Sequence, residues 1–326
     1  LIRVRRLIDA ALEAPIVPSF TKIGYGVRSR LYDWTPLDSY DLTGETIVLT
    51  GGTSGLGRAA ANELASLGAT LVLVARDPDK TDRAREEIRT AYETDRVSAV
   101  IADLSDLDDV RKASEQILGS HDQIHALIHN AGALFNDRRT TSDGTEMTTQ
   151  LMVAAPFLMT AMLVPPLRAA APGRVITMSS GGMYTSGLTV SGLQMREDDY
   201  NGPQQYARAK RAQVVLNEMW AEHFDTDEIV FHALHPGWAD TPGIDDALPG
   251  FGRALGPLLR SPMQGADTMI WLAAEPDIEH RTGEFWHDRS VRSTHKLAST
   301  RKTDTPARRA ALWAWCEAHT GMVVDD

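Results

Sequence analysis

The chain has 326 residues, 43% hydrophobic and 24% charged, a globular balance that excludes a disordered chain. Lys and Arg number 33 against 44 Asp and Glu, and the resulting net charge of −11 speaks against a nucleic-acid partner, which needs a concentrated basic face. A single cysteine, Cys316, excludes an intramolecular disulfide and any CxxC metal knuckle and points to a reducing, cytoplasmic setting.

Length alone suggests about two domains. Residues 1–40 are mixed and read as an arm packed on the body. Phe20, Ile23, Tyr25, Leu31, Tyr32 and Trp34 lie among basic residues there, so contact of residues 16–34 with a membrane surface or a partner is a second reading. No long apolar run follows the early arginines, so a cleavable secretion signal is not visible.

From Thr46 the pattern sharpens. Residues 47–50 read as a short buried strand, 51–57 as a glycine-rich loop and 58–67 as a helix stopped by Gly68. Strands follow at 70–75, 97–101 and 124–128, with helices at 79–92 and 107–118 between them. Residues 151–167 are the most membrane-like stretch. Pro156, Thr160, Pro165 and Pro166 interrupt them, and they fall short of the ~20 residues a span needs. A buried helix over 145–168 is the better reading. A fifth strand at 174–178, a helix at 204–224, a sixth strand at 228–234, a helix at 266–274 and a short strand at 283–286 complete the pattern. Such alternation predicts a parallel sheet covered on both faces.

The loop Thr50-Gly51-Gly52-Thr53-Ser54-Gly55-Leu56-Gly57 lies between a strand and a helix. Glycines there let the backbone approach a pyrophosphate, and the helix start offers free N–H groups. No Gly-Lys-Ser/Thr follows, so a Walker loop is excluded. Gly51, Thr53, Ser54, Gly55, Leu56 and Gly57 are therefore candidate dinucleotide contacts. At the second strand end stands Arg76, followed by Asp77. A basic residue there pairs with a 2′-phosphate, which favours NADP(H) over NAD(H). Asp103 and Leu104 follow the third strand, and Asn130, Ala131 and Gly132 follow the fourth. Open α/β sheets bind ligands along that edge. Small residues let the chain pass an adenosine ribose closely, and Asn130 can tie neighbouring strands together.

Ser180 follows the fifth strand. Tyr206 and Lys210 are four apart and share one helical face. A lysine ammonium favours the phenolate of a neighbouring tyrosine and lowers its pKa from ~10. Such a tyrosine can move a proton to or from a carbonyl oxygen, and Ser180 can hold that oxygen. His235-Pro236-Gly237-Trp238 and Thr241 follow the sixth strand and fall beside the nicotinamide half of a dinucleotide, with His235 read as structural. The ten histidines include no HExxH, and no metal is implied.

Together these motifs resemble the short-chain dehydrogenase/reductase family: TGxxxGxG at 50–57, Asn-Ala-Gly at 130–132, a serine at 180, YxxxK at 206–210 and Pro-Gly at 236–237. The Ala75-Arg76 strand end is similar to the NADP-preferring retinol-dehydrogenase-like branch. Segments 19–25, 235–243, 264–268 and 293–295 resemble the dehydrogenase/reductase member 12 subgroup. The resemblance implies an α/β fold, a doubly wound Rossmann-type sheet of seven mostly parallel strands. It also implies hydride transfer to or from a small-molecule carbonyl or secondary alcohol, Lys210 on the nicotinamide ribose, and a homo-oligomer. The site then uses parts from nearly the whole chain, so residues 41–326 read as one domain with a C-terminal extension.

Two departures stand out. The family usually has an asparagine mid-helix for a proton-relay water, where this chain has Met152, which donates no hydrogen bond. Ser180 and Tyr206 are also widely spaced, leaving an insertion at 183–203 with Met183, Tyr184, Leu188, Leu193 and Met195. It reads as a lid or pocket wall favouring a fairly hydrophobic substrate. The alternatives are a low-turnover NADP(H)-binding regulatory protein and an NAD-linked epimerase or dehydratase variant.

Overall fold

The computed structural model describes residues 2–240 and 255–324. Strand β1 (Thr46–Thr50) carries Ile47, Val48 and Leu49, all fully buried. It is joined by β2 (Thr70–Ala75), β3 (Val97–Ile101), β4 (Ala126–His129), β5 (Gly173–Met178), β6 (Ile229–Leu234) and β7 (Glu284–His287). Their order in the sheet is β3-β2-β1-β4-β5-β6-β7-β8, parallel throughout except for the last pair. Near-continuous apolar runs such as Leu71–Ala75 suit strands covered on both sides.

The eighth strand corrects the expected seven. β8 (Ser290–Val291) is a two-residue antiparallel return. It follows a turn in which Asp288 and Arg289 have φ of 53° and 49°. Two residues are too few to show any hydrophobic period.

Alternate strand residues feed two cores. Ile47, Leu49, Leu71, Leu73 and Ile176 face helices α4 (Gly55–Ser66) and α9 (Pro262–Ala274) through Ala60, Leu64, Met269 and Ile270. Val48, Val72, Leu127 and Val175 face α6 (Leu107–Leu118), α7 (Met147–Ala170) and α8 (Gly202–His223). Helix α5 (Pro78–Ala91) covers β2 and β3. The short α10 (Ala298–Thr303) leads into α11 (Pro306–Thr320) at the C-terminal end.

By length and composition α7 is long enough and apolar enough to cross a membrane, but 67% of its apolar window is buried within the chain. Its Phe157 packs 5.0 Å from both Trp220 of α8 and Trp313 of α11. Residues 151–167 thus pack inside one chain. A π turn at Gln150–Ala154 interrupts the helix at Met152.

The N-terminal segment forms α1 (Ile2–Glu13), α2 (Ile16–Phe20) and α3 (Lys22–Leu31). Its aromatic residues are engaged within the segment and with the body. Phe20 is buried, Tyr25 donates to Asp267 at 3.2 Å, Tyr32 donates to Asp9 at 3.0 Å, and Trp34 meets Tyr25 edge-on. The large apolar side chains exposed on these helices are Val4, Leu7, Ile8, Ile16, Val17 and Ile23.

Candidate active site

The sheet order turns back between β1 and β4, which opens a crevice at the carboxyl ends of the strands. A cleft of about 720 Å³ lies there. Gly51, Thr53, Ser54, Gly55, Leu56, Gly57, Arg76, Asp103, Leu104, Asn130, Ala131, Gly132, Ser180, Tyr206, Lys210, Pro236, Gly237 and Trp238 all line it. Thr241 lies outside the described residues.

The glycine loop is held by its neighbours. Gly51 has φ of +73°, a conformation that favours glycine. A Cβ on Gly57 would collide with the Gly51 carbonyl and reach within 2.5 Å of Asn130 Nδ2. Asn130 Nδ2 donates to the carbonyls of Thr50 and Gly51 at 3.1 and 3.2 Å. Thr50 Oγ1 accepts from the backbone N–H groups of Asn130 and Ala131. Ser54 caps α4 without a side-chain hydrogen bond, and Gly55, Leu56 and Gly57 of its first turn face the cleft. An anion seated there would meet the positive end of the helix. The close glycine packing and this helix start fit a dinucleotide pyrophosphate.

Asp77 and Arg76 separate at the end of β2. The Asp77 carboxylate accepts from Lys80 N at 3.0 Å and caps α5, and Lys80 Nζ lies 3.8 Å from it. Arg76 is exposed at the cleft wall, and no ion pair to it is found among the described residues. Asp103 Oδ1 accepts from Ser105 N and Oγ and fixes the turn after β3.

At the other end, Ser180 Oγ accepts from Gly182 N at 3.2 Å. A Cβ on Gly182 would lie 3.5 Å from Ser180 Oγ and 3.9 Å from the Tyr206 ring, so the two side chains flank one small space. Asn201 caps α8 through Gln204 N and sets the start of the helix that carries Tyr206 and Lys210. Lys210 Nζ donates to Met178 O at 2.7 Å and sits 5.5 Å from the centroid of the Tyr206 ring. Burial lowers its pKa to about 7.

Burial dominates the electrostatics of this pair. The Tyr206 phenol stands above its ordinary value because it is buried, and only the Ser180 hydroxyl pulls it back. Lys210 gives a hydrogen bond to a carbonyl, and burial weakens its charge. The Met152 sulfur lies at this spot too. A Cβ on Gly132 would be 3.1 Å from Met152 Sδ and 3.5 Å from Lys210 Nζ.

The reading of the insertion's five apolar residues is corrected. Met183, Tyr184, Leu188, Leu193 and Met195 are buried in the body and line no part of the cleft. They act as ordinary core residues, which their mixed spacing did not reveal. The apolar lining of the cleft comes from Leu134, Phe135, Met147, Leu151 and Trp238, and the insertion adds Thr185 and Pro203. Leu134 and Phe135 directly follow Asn-Ala-Gly, a position that the strand-edge rule already marks.

His235 is buried and held well below its ordinary pKa by burial and the neighbouring His287 and Arg260. It stacks on His287 at 3.9 Å and accepts from Gly237 N through Nδ1 at 3.2 Å. These contacts are structural. The loop it begins is bound by residues with no local signal. Trp238 N donates to Phe20 O at 2.7 Å, and Arg260 Nη1 donates to Pro236 O at 3.1 Å.

A doubly wound sheet with a glycine loop at its switch point and a Ser-Tyr-Lys group beside it defines a dinucleotide-binding oxidoreductase fold. The profile described as short chain dehydrogenase matches residues 45–247, and the chain belongs to this short-chain dehydrogenase/reductase family. It is 39% identical over 295 residues to dehydrogenase/reductase SDR family member 12 of Homo sapiens, covering 90% of this chain and 91% of that one. It is 30% identical over 249 residues to retinol dehydrogenase 12 of Homo sapiens, covering 76% and 78%. Among solved structures, L-sorbose reductase of Gluconobacter frateurii with NADPH and L-sorbose superposes with a TM-score of 0.63. That match is at 23% identity and covers 76% of this chain and 95% of the other.

Proposed function

We propose that the protein interconverts a carbonyl group and a secondary alcohol on a fairly apolar small molecule, using NADP(H). One observation carries this reading: Ser180, Tyr206 and Lys210 share a single cleft with the glycine loop and Arg76. When bound, a nicotinamide supplies or accepts the hydride.

The chain's own residues supply the rest. Tyr206 Oη donates its proton to the carbonyl oxygen in reduction and takes it back in oxidation. Burial keeps the phenol protonated, and a bound cofactor and substrate must bring its pKa down for the transfer to be fast. Ser180 Oγ turns its hydrogen toward the same oxygen and stabilises charge developing there. Lys210 holds the nicotinamide ribose and carries more positive charge once an anionic neighbour offsets its burial. Arg76 pairs with a 2′-phosphate, since Asp77 is committed to its cap. Leu134, Phe135, Met147, Leu151 and Trp238 support an apolar substrate. The cytoplasm remains the proposed location. Assembly into a homo-oligomer is proposed on family resemblance alone.

A second reading, a low-turnover NADP(H)-binding protein, is favoured by Met152 beside Lys210, where a polar relay group would otherwise stand. A panel of ketones, aldehydes and alcohols with NADPH or NADP⁺, followed by nicotinamide absorbance, separates the two. Turnover that Tyr206→Phe abolishes supports the enzyme. Tight NADPH binding with no turnover across the panel supports the second reading.

A further inference from the structure

Both loops at the tyrosine end of the cleft rest on a residue outside the dehydrogenase match. Phe20 is 3% exposed and lies at the end of α2. Its ring packs against Gly181, next to Ser180: a Cβ there would come within 2.5 Å of Phe20 Cε2. The same ring meets His235 at 4.4 Å and Trp238 edge-on at 5.7 Å. Its carbonyl accepts from Trp238 N and, at 3.0 Å, from Arg260 Nε.

Arg260 ties this contact down. It is 1% exposed and donates to the carbonyls of Ser19, Phe20 and Pro236 and to both oxygens of Asp288. Gly237, at φ +74°, has no room for a Cβ, which would lie 2.5 Å from Arg260 Cζ and 2.6 Å from Phe20 O. On the far side of Asp288, fully buried Arg28 donates to Asp288, Asp9 and Glu13. Burial alone would raise the Glu13 and Asp288 carboxyls, but His287 and the surrounding cations hold both far below the usual range. A buried ion network of this kind is weak evidence for stability. Its donors instead converge on the backbone of residues 19–21, which holds Phe20, and on Pro236 of the 236–238 loop.

We propose that Phe20 is a positioning residue for the active site, with the Arg28–Asp288–Arg260 network clamping it between the Ser180 loop and the 236–238 loop. The inference rests on the proposed reading that the 236–238 loop borders the nicotinamide half. On that reading, the N-terminal helices line no part of the cleft themselves but back the two loops at its reaction end.

The test uses the full chain and two probes, NADPH and 2′,5′-ADP, the phosphorylated adenosine half of NADP(H). Phe20→Ala is expected to weaken NADPH about tenfold while leaving 2′,5′-ADP within about twofold. Phe20→Leu, which keeps apolar bulk, restores most of the loss. Equal weakening of both probes would mean general loosening and overturn the inference, as would unchanged NADPH affinity. Should Phe20→Ala fail to fold, Phe20→Leu carries the test, with a loss of about threefold confined to NADPH. Both probes report binding without turnover. A wild-type chain that binds NADPH but reduces nothing therefore strikes the proposed reaction and leaves the Phe20 result readable.

Discussion

At the glycine-loop end of the cleft, Thr50, Gly51, Gly57 and Asn130 hold one another through contacts that span at most 80 positions of chain. At the tyrosine end, Trp238 leans on Phe20, and Arg28 reaches Asp288 across 260 positions. One end is shaped by glycines and small polar residues in tight turns. The other is shaped by a buried arginine pair and an aromatic ring from distant segments. A cofactor-binding edge can thus be local and self-contained while its reaction end depends on the whole chain.

The sharpest way to separate the ends is Tyr206→Phe. It removes the transferable proton and leaves the ring, so kcat should fall about 10²–10⁴-fold with NADPH affinity nearly unchanged. Steady-state kinetics with a fluorescence titration check it, and a variant that keeps most of its rate would refute the proton role.

Arg260→Met probes the long-range end. It strips a cation from Asp288 and donors from four carbonyls, so stability should drop by about 3–5 kcal/mol in urea denaturation. Binding of 2′,5′-ADP should survive below the transition. A drop under about 1 kcal/mol would show that the network does not hold the loops.

Arg76→Ala probes the local end. Losing one charge-assisted contact should shrink the preference for NADPH over NADH by about 10–100-fold with no change in stability. Equal preference before and after would place the 2′-phosphate elsewhere.

A pH effect falls on the fold as a whole rather than on one end. Burial holds His129 and His232 near pKa 3, and His287, buried beside Asp288, near 4. Below about pH 6.5 the unfolded chain binds protons at these sites that the folded chain refuses. Stability is therefore full above pH 6.5 and falls as pH drops toward 3, by about 1.4 kcal/mol per pH unit for each such histidine. A urea midpoint that stays flat from pH 7 to 4.5 would contradict this.

Legibility in the sequence follows the same divide. The strands, the glycine loop, Asn130 and the Tyr206–Lys210 pair each announce themselves within a short window, because period and turn chemistry are local. Phe20, Arg260 and Asp288 do not. An arginine that is buried looks like any surface arginine until its partners are known. The core residues at 183–195 looked like a lid for the same reason, since apolar side chains without a period do not say which side they face. Proximity of Tyr206 and Lys210 was legible from their spacing, but not that Lys210 would turn to the Met178 carbonyl.

The clasp between Arg28 and Asp288 also bears on how the protein is made. Chain leaves the ribosome N-terminus first, at ~5–20 residues per second. The glycine-loop contacts can close once Gly132 has emerged, whereas α3 must wait for Asp288. During that interval, roughly 8–30 s, Arg28 has only Asp9 and Glu13 to answer it. The two ends of the cleft thus differ in how much chain must be made before their contacts can form.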